Sequence, residues 1–340
     1  MDNMQSGKLT IECPFWLAPM AGYTDAAFRS ICREFGGGLF YTEVAVAQGL
    51  VRGSKPSWHL LESLENEAPL AGHIYGSDPD VMARTAAMIE ATGRFAAIDI
   101  NAGCPVRKIV AKGAGAALIR TPEKIGEIIK AVCSAVTLPV LLKTRIGFDE
   151  GQSRIVEIAQ AAEAAGASAI AIHGRYAVNH HSGAVDWDQI RTIKQQCRIP
   201  VLGNGGLFTA EDAVEKLQTY GVDGVLIARG AVGKPWIFED VERIRNGETP
   251  RVRSLAERRE IIERHLHRLV ALKIKEGKCR RRSGFDADRG AALHFRCHLL
   301  NYLSGLSNWV DVRRSFGAIG STADIMQAVD IVISRQPRED

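Results

Sequence analysis

The segment from residue 139 to residue 228 contains PVLLK (139–143), AIAIH (169–173), PVLG (200–203) and GVLIA (224–228). These are short apolar runs, each followed by a polar or glycine turn and separated from the next by a helix-like stretch. Runs of this length and bounding read as strands. The same rhythm extends towards the N-terminus, with strands expected near 15–18, 39–42, 71–75 and 96–100. Helices are expected at 78–92, 122–136, 151–165 and 210–220. Asp78-Pro79 and Thr121-Pro122 each place proline just inside a helix behind a capping side chain. Alternating strand and helix implies a parallel sheet with right-handed crossovers. Eight such units close a TIM (β/α)8 barrel, which typically takes ~250 residues. An open doubly wound sheet is the alternative.

Beyond residue 245 the pattern changes. LAERREIIERHLHRLVAL (255–272) places apolar residues at helical spacing, 291–303 repeats the pattern, and 324–333 reads as a last short helix. No strand is expected there. The reading is a barrel over 1–245 and a small all-α helical bundle over 251–340, joined at 245–250.

Composition narrows the classes. The 340 residues are 46% hydrophobic and 24% charged, as in ordinary globular proteins. No window approaches the ~18 apolar residues of a membrane span, and no apolar leader follows the first residues. Seven cysteines without paired spacing point to reduced thiols and a cytoplasmic setting. The chain carries 43 basic and 39 acidic residues, but 251–296 alone holds 14 against 6. That local excess of +8 marks the helical segment as the part that would attract a polyanion, of which nucleic acid is the commonest. A solvated, arginine-rich helix face is the plain alternative.

In a (β/α)8 barrel the chemistry sits where the strands end. Those positions hold Pro19-Met20-Ala21, Glu43, His73, Asn101 with Cys104, Lys143 with Arg145, His173 with Arg175, Asn204-Gly205-Gly206 and Arg229-Gly230. So many polar groups need partners, so a polar ligand is expected in the mouth. The turns GNGG (203–206) and ARG (228–230) follow strands seven and eight, where such barrels often hold phosphate on free backbone N–H groups. Arg229 would add a charge-assisted contact. GAGAA (113–117) follows no strand and is not read as a dinucleotide site. Cys104 lies in the turn NAGCP, where packing gives little reason for a thiol; it reads as a proton donor or a nucleophile. Cys133 and Cys197 read as small buried hydrophobes. Lys143 suits a Schiff base or a positive charge beside an electron-accepting ring. His294 and His298 flank Cys297, and His180 adjoins His181, but neither group completes a known zinc pattern. No metal is expected, and these histidines read as surface or RNA-facing.

LAPMAGYTDAAFR (17–29), INAGCPVRKIVAKGAGAALI (100–119), LLKTRIG (141–147), IHGR (172–175), NGG (204–206) and ARGAVGKPWIF (228–238) occur in this order. The set resembles the tRNA-dihydrouridine synthases, most closely their bacterial B-type branch. The resemblance implies an FMN-containing barrel that uses NADPH to reduce a uridine of tRNA to 5,6-dihydrouridine. It implies that Pro19, Met20 and Ala21 run along the flavin, and that Lys143 and His173 contact its ring and ribityl side. Asn204, Gly205, Gly206, Ala228 and Arg229 would hold the phosphate end. Cys104 would be the catalytic thiol and Asn101 would orient the uracil, with Arg145 and Arg175 also on the substrate side. The family's usual glutamine in the third strand is replaced by His73, whose imidazole would make the hydrogen bond to the flavin in its place, and NGG replaces the commoner NGD or NGE. Arg280, Arg281, Arg282, Arg289 and Arg296 would sit on tRNA phosphates. No membrane contact and no stable protein partner are expected. A dihydrouridine synthase acting on rRNA, a small-molecule flavin oxidoreductase of dihydroorotate-dehydrogenase type, and a non-catalytic RNA-binding protein are the competing readings.

Overall fold

The computed structural model describes residues 4–6, 9–280, 286–307, 309–315 and 317–336. Eight parallel strands follow in chain order: β1 (Phe15–Leu17), β2 (Phe40–Tyr41), β3 (Leu70–Tyr75), β4 (Ala97–Ala102), β5 (Val140–Gly147), β6 (Ala169–Tyr176), β7 (Val201–Asn204) and β8 (Gly224–Ile227). Each pairs with the next, and β8 pairs back onto β1 through Val225 opposite Phe15 and Ile227 opposite Leu17. The ring is therefore closed, which settles the choice in favour of the TIM barrel. Every strand expected from the sequence is present. Among the described strands, the reading did not foresee an N-terminal hairpin (Met4–Ser6 with Leu9–Ile11) or the two-residue strand Ala45–Val46, which pairs with the end of β3.

Helices α1 (Ala26–Arg33), α2 (Pro79–Glu90), α3 (Pro122–Ala135), α4 (Ile155–Ala164), α5 (Trp187–Gln196), α6 (Ala210–Tyr220) and α7 (Ile237–Arg245) cover the outside. Asp78 caps α2 by accepting from the backbone N–H groups of Asp80 and Val81. Thr121 does not do the same for α3: its side chain makes no capping bond. Pro122 has no N–H to satisfy, so that helix start leaves little for a cap to do.

Strand alternation separates two apolar layers. Alternate residues such as Leu17, Ile98, Ile100, Leu142, Ile170 and Ile172 point outward to the helices and form the main core. The intervening residues Trp16, Tyr41, Ala71, Ala97, Leu141, Ala171, Leu202 and Leu226 point inward and plug the barrel floor. One rung above that plug, in the same alternation, come His73, Asp99, Lys143, His173, Asn204 and Ala228. The period of two thus aims the functional side chains inward. It also explains why β5 and β6 run past the expected ends at 143 and 173: Arg145 and Arg175 still lie on strands, as further inward rungs.

The C-terminal helices are α8 (Leu255–Arg280), α9 (Ala287–Tyr302), α10 (Trp309–Ser315) and α11 (Thr322–Ser334). Leu266, Leu269, Phe295, Leu299, Tyr302 and Val329 form a second core, continued by Ala26, Ala27 and Ile31 of α1 and by Trp236. The helical module therefore shares its core with one side of the barrel. Much of its positive charge is paired there. Arg264 and Arg268 meet Glu34, Lys275 meets Glu62, Arg253 meets Glu239, and Arg259 meets Glu263 and Asp330. Among the described residues, no helix is long and apolar enough to cross a membrane.

Candidate active site

A cavity of about 560 Å³ opens at the C-terminal end of the strands. That is within the usual range for a small-molecule or cofactor site. Its wall contains Pro19, Met20, Ala21, His73, Asn101, Cys104, Lys143, Arg145, His173, Arg175, Asn204, Gly205, Gly206, Ala228 and Arg229. The sequence reading drew these residues from seven of the eight strand ends, and the fold brings all of them to one place.

The Lys143 ammonium donates to Asn204 Oδ1 at 3.1 Å, and Asn204 Nδ2 anchors to the Leu226 carbonyl at 2.7 Å. Burial pushes Lys143 down to about 8, with buried Asp99 opposing and Arg145 adding to the shift. Arg145 holds the loop of Cys104 and the end of β6, donating to the carbonyls of Gly103 (3.0 Å) and Tyr176 (3.1 Å). Burial lowers it to about 10. Arg175 donates from Nε to the Gly183 carbonyl at 2.9 Å and from Nη1 to His173 Nε2 at 3.2 Å. His173 is held neutral, well below its ordinary value, by burial and then by Arg145, Lys143 and Arg175. His181 faces it, rings 6.2 Å apart, and is lowered for the same reasons.

The residues lining this cavity include three arginines, a lysine and several histidines, yet no carboxylate. Several of these groups are pushed towards neutrality by burial and by one another. Gly205, at φ +117°, turns under His173, and a Cβ there would meet the imidazole at 2.8 Å. The turn is therefore restricted to glycine, and it lies beside Arg229, which stacks over Phe208 at 4.9 Å.

A second chain of contacts fixes the thiol loop. Asn101 Oδ1 accepts from the backbone N–H groups of Gly103 (3.0 Å) and Cys104 (2.9 Å). With that oxygen engaged, Asn101 Nδ2 donates to His73 Nε2 at 2.9 Å, which places the His73 proton on Nδ1, 2.5 Å from Asp99 Oδ2. Asp99 is fully buried and raised above the ordinary carboxylate range by burial, His73 opposing. Asn101 therefore holds the Cys104 turn first, and only its second Nδ2 hydrogen remains for a ligand.

Residues the sequence reading missed include Asp99, Asn301 and Phe208. Asp99 had a signal, since it alternates with Asn101 in AIDIN and so shares its inward face. Asn301 had none: it reaches the cavity from α9 through packing of that helix on Gly233, where a Cβ would lie 2.2 Å from the Asn301 backbone. Of the residues expected to face RNA, Arg281 and Arg282 lie outside the described residues, as does the Arg280 side chain. Arg289 is exposed on α9. Arg296 is half-buried and donates to the Ile319 carbonyl at 2.6 Å, so it serves the module's own fold. The histidines of α9 are not surface groups as expected: His298 is fully buried and His294 largely so. Cys133 and Cys197 are half-buried rather than enclosed.

Fold and site together define a (β/α)8 barrel with a cation-lined mouth and a thiol on its rim. Comparison with solved structures supports the fold: histamine dehydrogenase from Rhizobium sp. 4-9 superposes with a TM-score of 0.56 at 13% identity, covering 98% of this chain. This chain spans 64% of that protein's length. A 2-naphthoyl-CoA reductase gives 0.54 at 13% identity, with 72% of this chain and 52% of that one. Sequence comparison is more specific. Residues 16–333 match the family model described as dihydrouridine synthase. A probable tRNA-dihydrouridine synthase of Mycobacterium tuberculosis is 35% identical over 328 residues, 93% of this chain and 81% of the relative. The tRNA-dihydrouridine synthase B of Pseudomonas putida is 40% identical over 274 residues, 80% of each. The chain belongs to the dihydrouridine synthase family.

Proposed function

We propose that this chain reduces a uridine of tRNA to 5,6-dihydrouridine, with FMN as resident cofactor, NADPH as electron donor and the cytoplasm as its setting. The observation that carries the reading is the cavity itself: cations without a carboxylate partner, a glycine turn beside Arg229, and Cys104 on the rim. These residues fit FMN. Gly205, Gly206, Ala228 and Arg229 would take the phosphate, Lys143 and His173 the ring and ribityl side, and Pro19, Met20 and Ala21 the edge of the ring. His73 differs from the contact that the resemblance implied, because both its nitrogens are engaged with Asp99 and Asn101. Its proposed role is to position Asn101, and through it the Cys104 turn.

When bound, the flavin supplies a hydride to C6 of the uracil. The protein's part is to admit the base, exclude water and deliver a proton to C5. A uridine in folded RNA must be extruded to reach the cavity, at roughly a few kcal/mol. Cys104 is the general acid. Lys143 and Arg145 line the same cavity as Cys104 and would stabilise the charge left on sulfur. The remaining Asn101 N–H, with Arg175 and the neutral His173, would stabilise the oxygen on which negative charge develops. Residues 251–340 act as the RNA-binding module, through cations not already paired with the barrel.

The test is to incubate the chain with NADPH and tRNA from a strain lacking dihydrouridine, then map the modified position. Dihydrouridine at a defined site of tRNA is expected. Reduction confined to rRNA fragments, or to dihydroorotate-like small molecules, would overturn the assignment.

A further inference from the structure

Where the loop after β1 meets α9, outside the cavity, four potential ligands converge. His294, Cys297 and His298 lie at i, i+3 and i+4, so α9 presents them on one face, with donor atoms within 4.8 Å of one another. Asp25 enters from the barrel. Its Oδ1 caps α1, accepting from the Phe28 N–H at 2.9 Å, while its Oδ2 is buried, makes no hydrogen bond and lies 3.4 Å from His294 Nε2. His298 is fully buried, and neither ring nitrogen has a hydrogen-bond partner apart from an approach to the Tyr23 backbone. The remaining contacts are modest: His294 Nε2 to the Gly22 carbonyl at 3.2 Å, and Cys297 Sγ to the carbonyls of His294 (3.1 Å) and Gly22 (3.6 Å). Buried polar groups left this way are uncommon in folded proteins.

We propose that Asp25, His294, Cys297 and His298 form a closed, tetrahedral structural site for a divalent metal of the zinc class. Two imidazoles, a thiolate and a carboxylate are a zinc-type ligand set, and their two negative charges neutralise the ion. Metal binding releases the Cys297 thiol proton to solvent as the S–metal bond forms. The sequence pattern H-x-x-C-H supplied only three ligands, and the fourth becomes visible once the loop after β1 is folded against α9. Such a site would fasten the loop following Pro19, Met20 and Ala21 to the helix that carries Asn301, tying the helical module to the rim of the cavity.

The full-length protein, exchanged into zinc and then dialysed, should retain about one zinc per chain. Cobalt in its place should give a tetrahedral spectrum with a thiolate-to-metal charge-transfer band. C297S and H294A alter half-buried positions and should lose the metal while keeping their helical circular dichroism. D25N keeps an oxygen to cap α1 but lacks the carboxylate, and should bind zinc at least about tenfold more weakly. Chelation should lower the Tm of the wild type and leave that of C297S unchanged. Wild-type protein that retains no zinc, or a cobalt spectrum unaltered in C297S, would overturn the proposal.

Discussion

The cations of the barrel mouth and those of the helical module live under opposite conditions. In the mouth, Lys143, Arg145 and Arg175 are enclosed, depressed by burial, and bonded to carbonyls, an amide and an imidazole, with no carboxylate in the wall. In the module, Arg264, Arg268 and Lys275 reach carboxylates of the barrel at partly exposed sites, and the buried Arg253 reaches Glu239. Buried cations with no directly paired carboxylate destabilise the protein and favour an anionic ligand. Surface cations with a counter-ion contribute modestly to docking and leave little free field. A count of charges along the sequence sees no difference between the two.

The largest expected effect tests what the mouth is for. Cys104→Ala should lower turnover by about 10²- to 10⁴-fold, the usual weight of a general acid. Cofactor binding and Tm should hardly change, since Cys104 lies on the rim and carries none of the cation network. Parallel losses of cofactor and stability would show that the thiol supports the fold instead.

Lys143→Met should weaken FMN binding by about 10- to 100-fold, as expected for loss of a charge-assisted contact. It should also alter the pH profile of the ligand-free chain. Lys143 falls from 10.5 to about 8 on folding, so the unfolded chain binds more protons between those values. This group's destabilisation is therefore fully present below about pH 8 and is relieved as pH rises towards 10.5. That rise should disappear in Lys143→Met, and a bound anion should flatten it in the wild type. Thermal unfolding across pH 7–11 checks both expectations.

Smaller effects are expected in the module, and they separate free from paired cations. Arg289→Ala should weaken tRNA binding a few-fold and reduce the slope of log K against log salt by about 1. Arg268→Ala should leave that slope unaltered, because its charge is already matched by Glu34. Glu34→Gln should be the mildest change, costing up to about 1 kcal/mol of stability. Equal salt slopes for the Arg268 and Arg289 variants would erase the distinction.

The barrel was legible because its signals are local. Each βα unit announces itself by an apolar run and a turn, and inward alternation makes Lys143, Arg145, His173 and Arg175 follow from strand phase. The motif NAGCP likewise marked Cys104. What stayed hidden depends on packing across long separations. Asn301 enters the cavity from α9 only because that helix lies on Gly233, and Asp25 meets His294 only when the loop after β1 is in place. The excess of +8 over 251–296 was read as an RNA-facing field, yet Glu34, Glu62 and Glu239 of the barrel match several of those charges. Composition records how many charges a segment has, but their partners are set by the tertiary fold.

The most direct measurement is a spectroscopic FMN titration of the purified protein beside Lys143→Met. Saturation near one FMN per wild-type chain, with affinity falling in the variant and as pH rises past about 8, is the predicted result. A wild-type protein that takes up no flavin, or that binds it equally well without the Lys143 charge, would contradict the central claim.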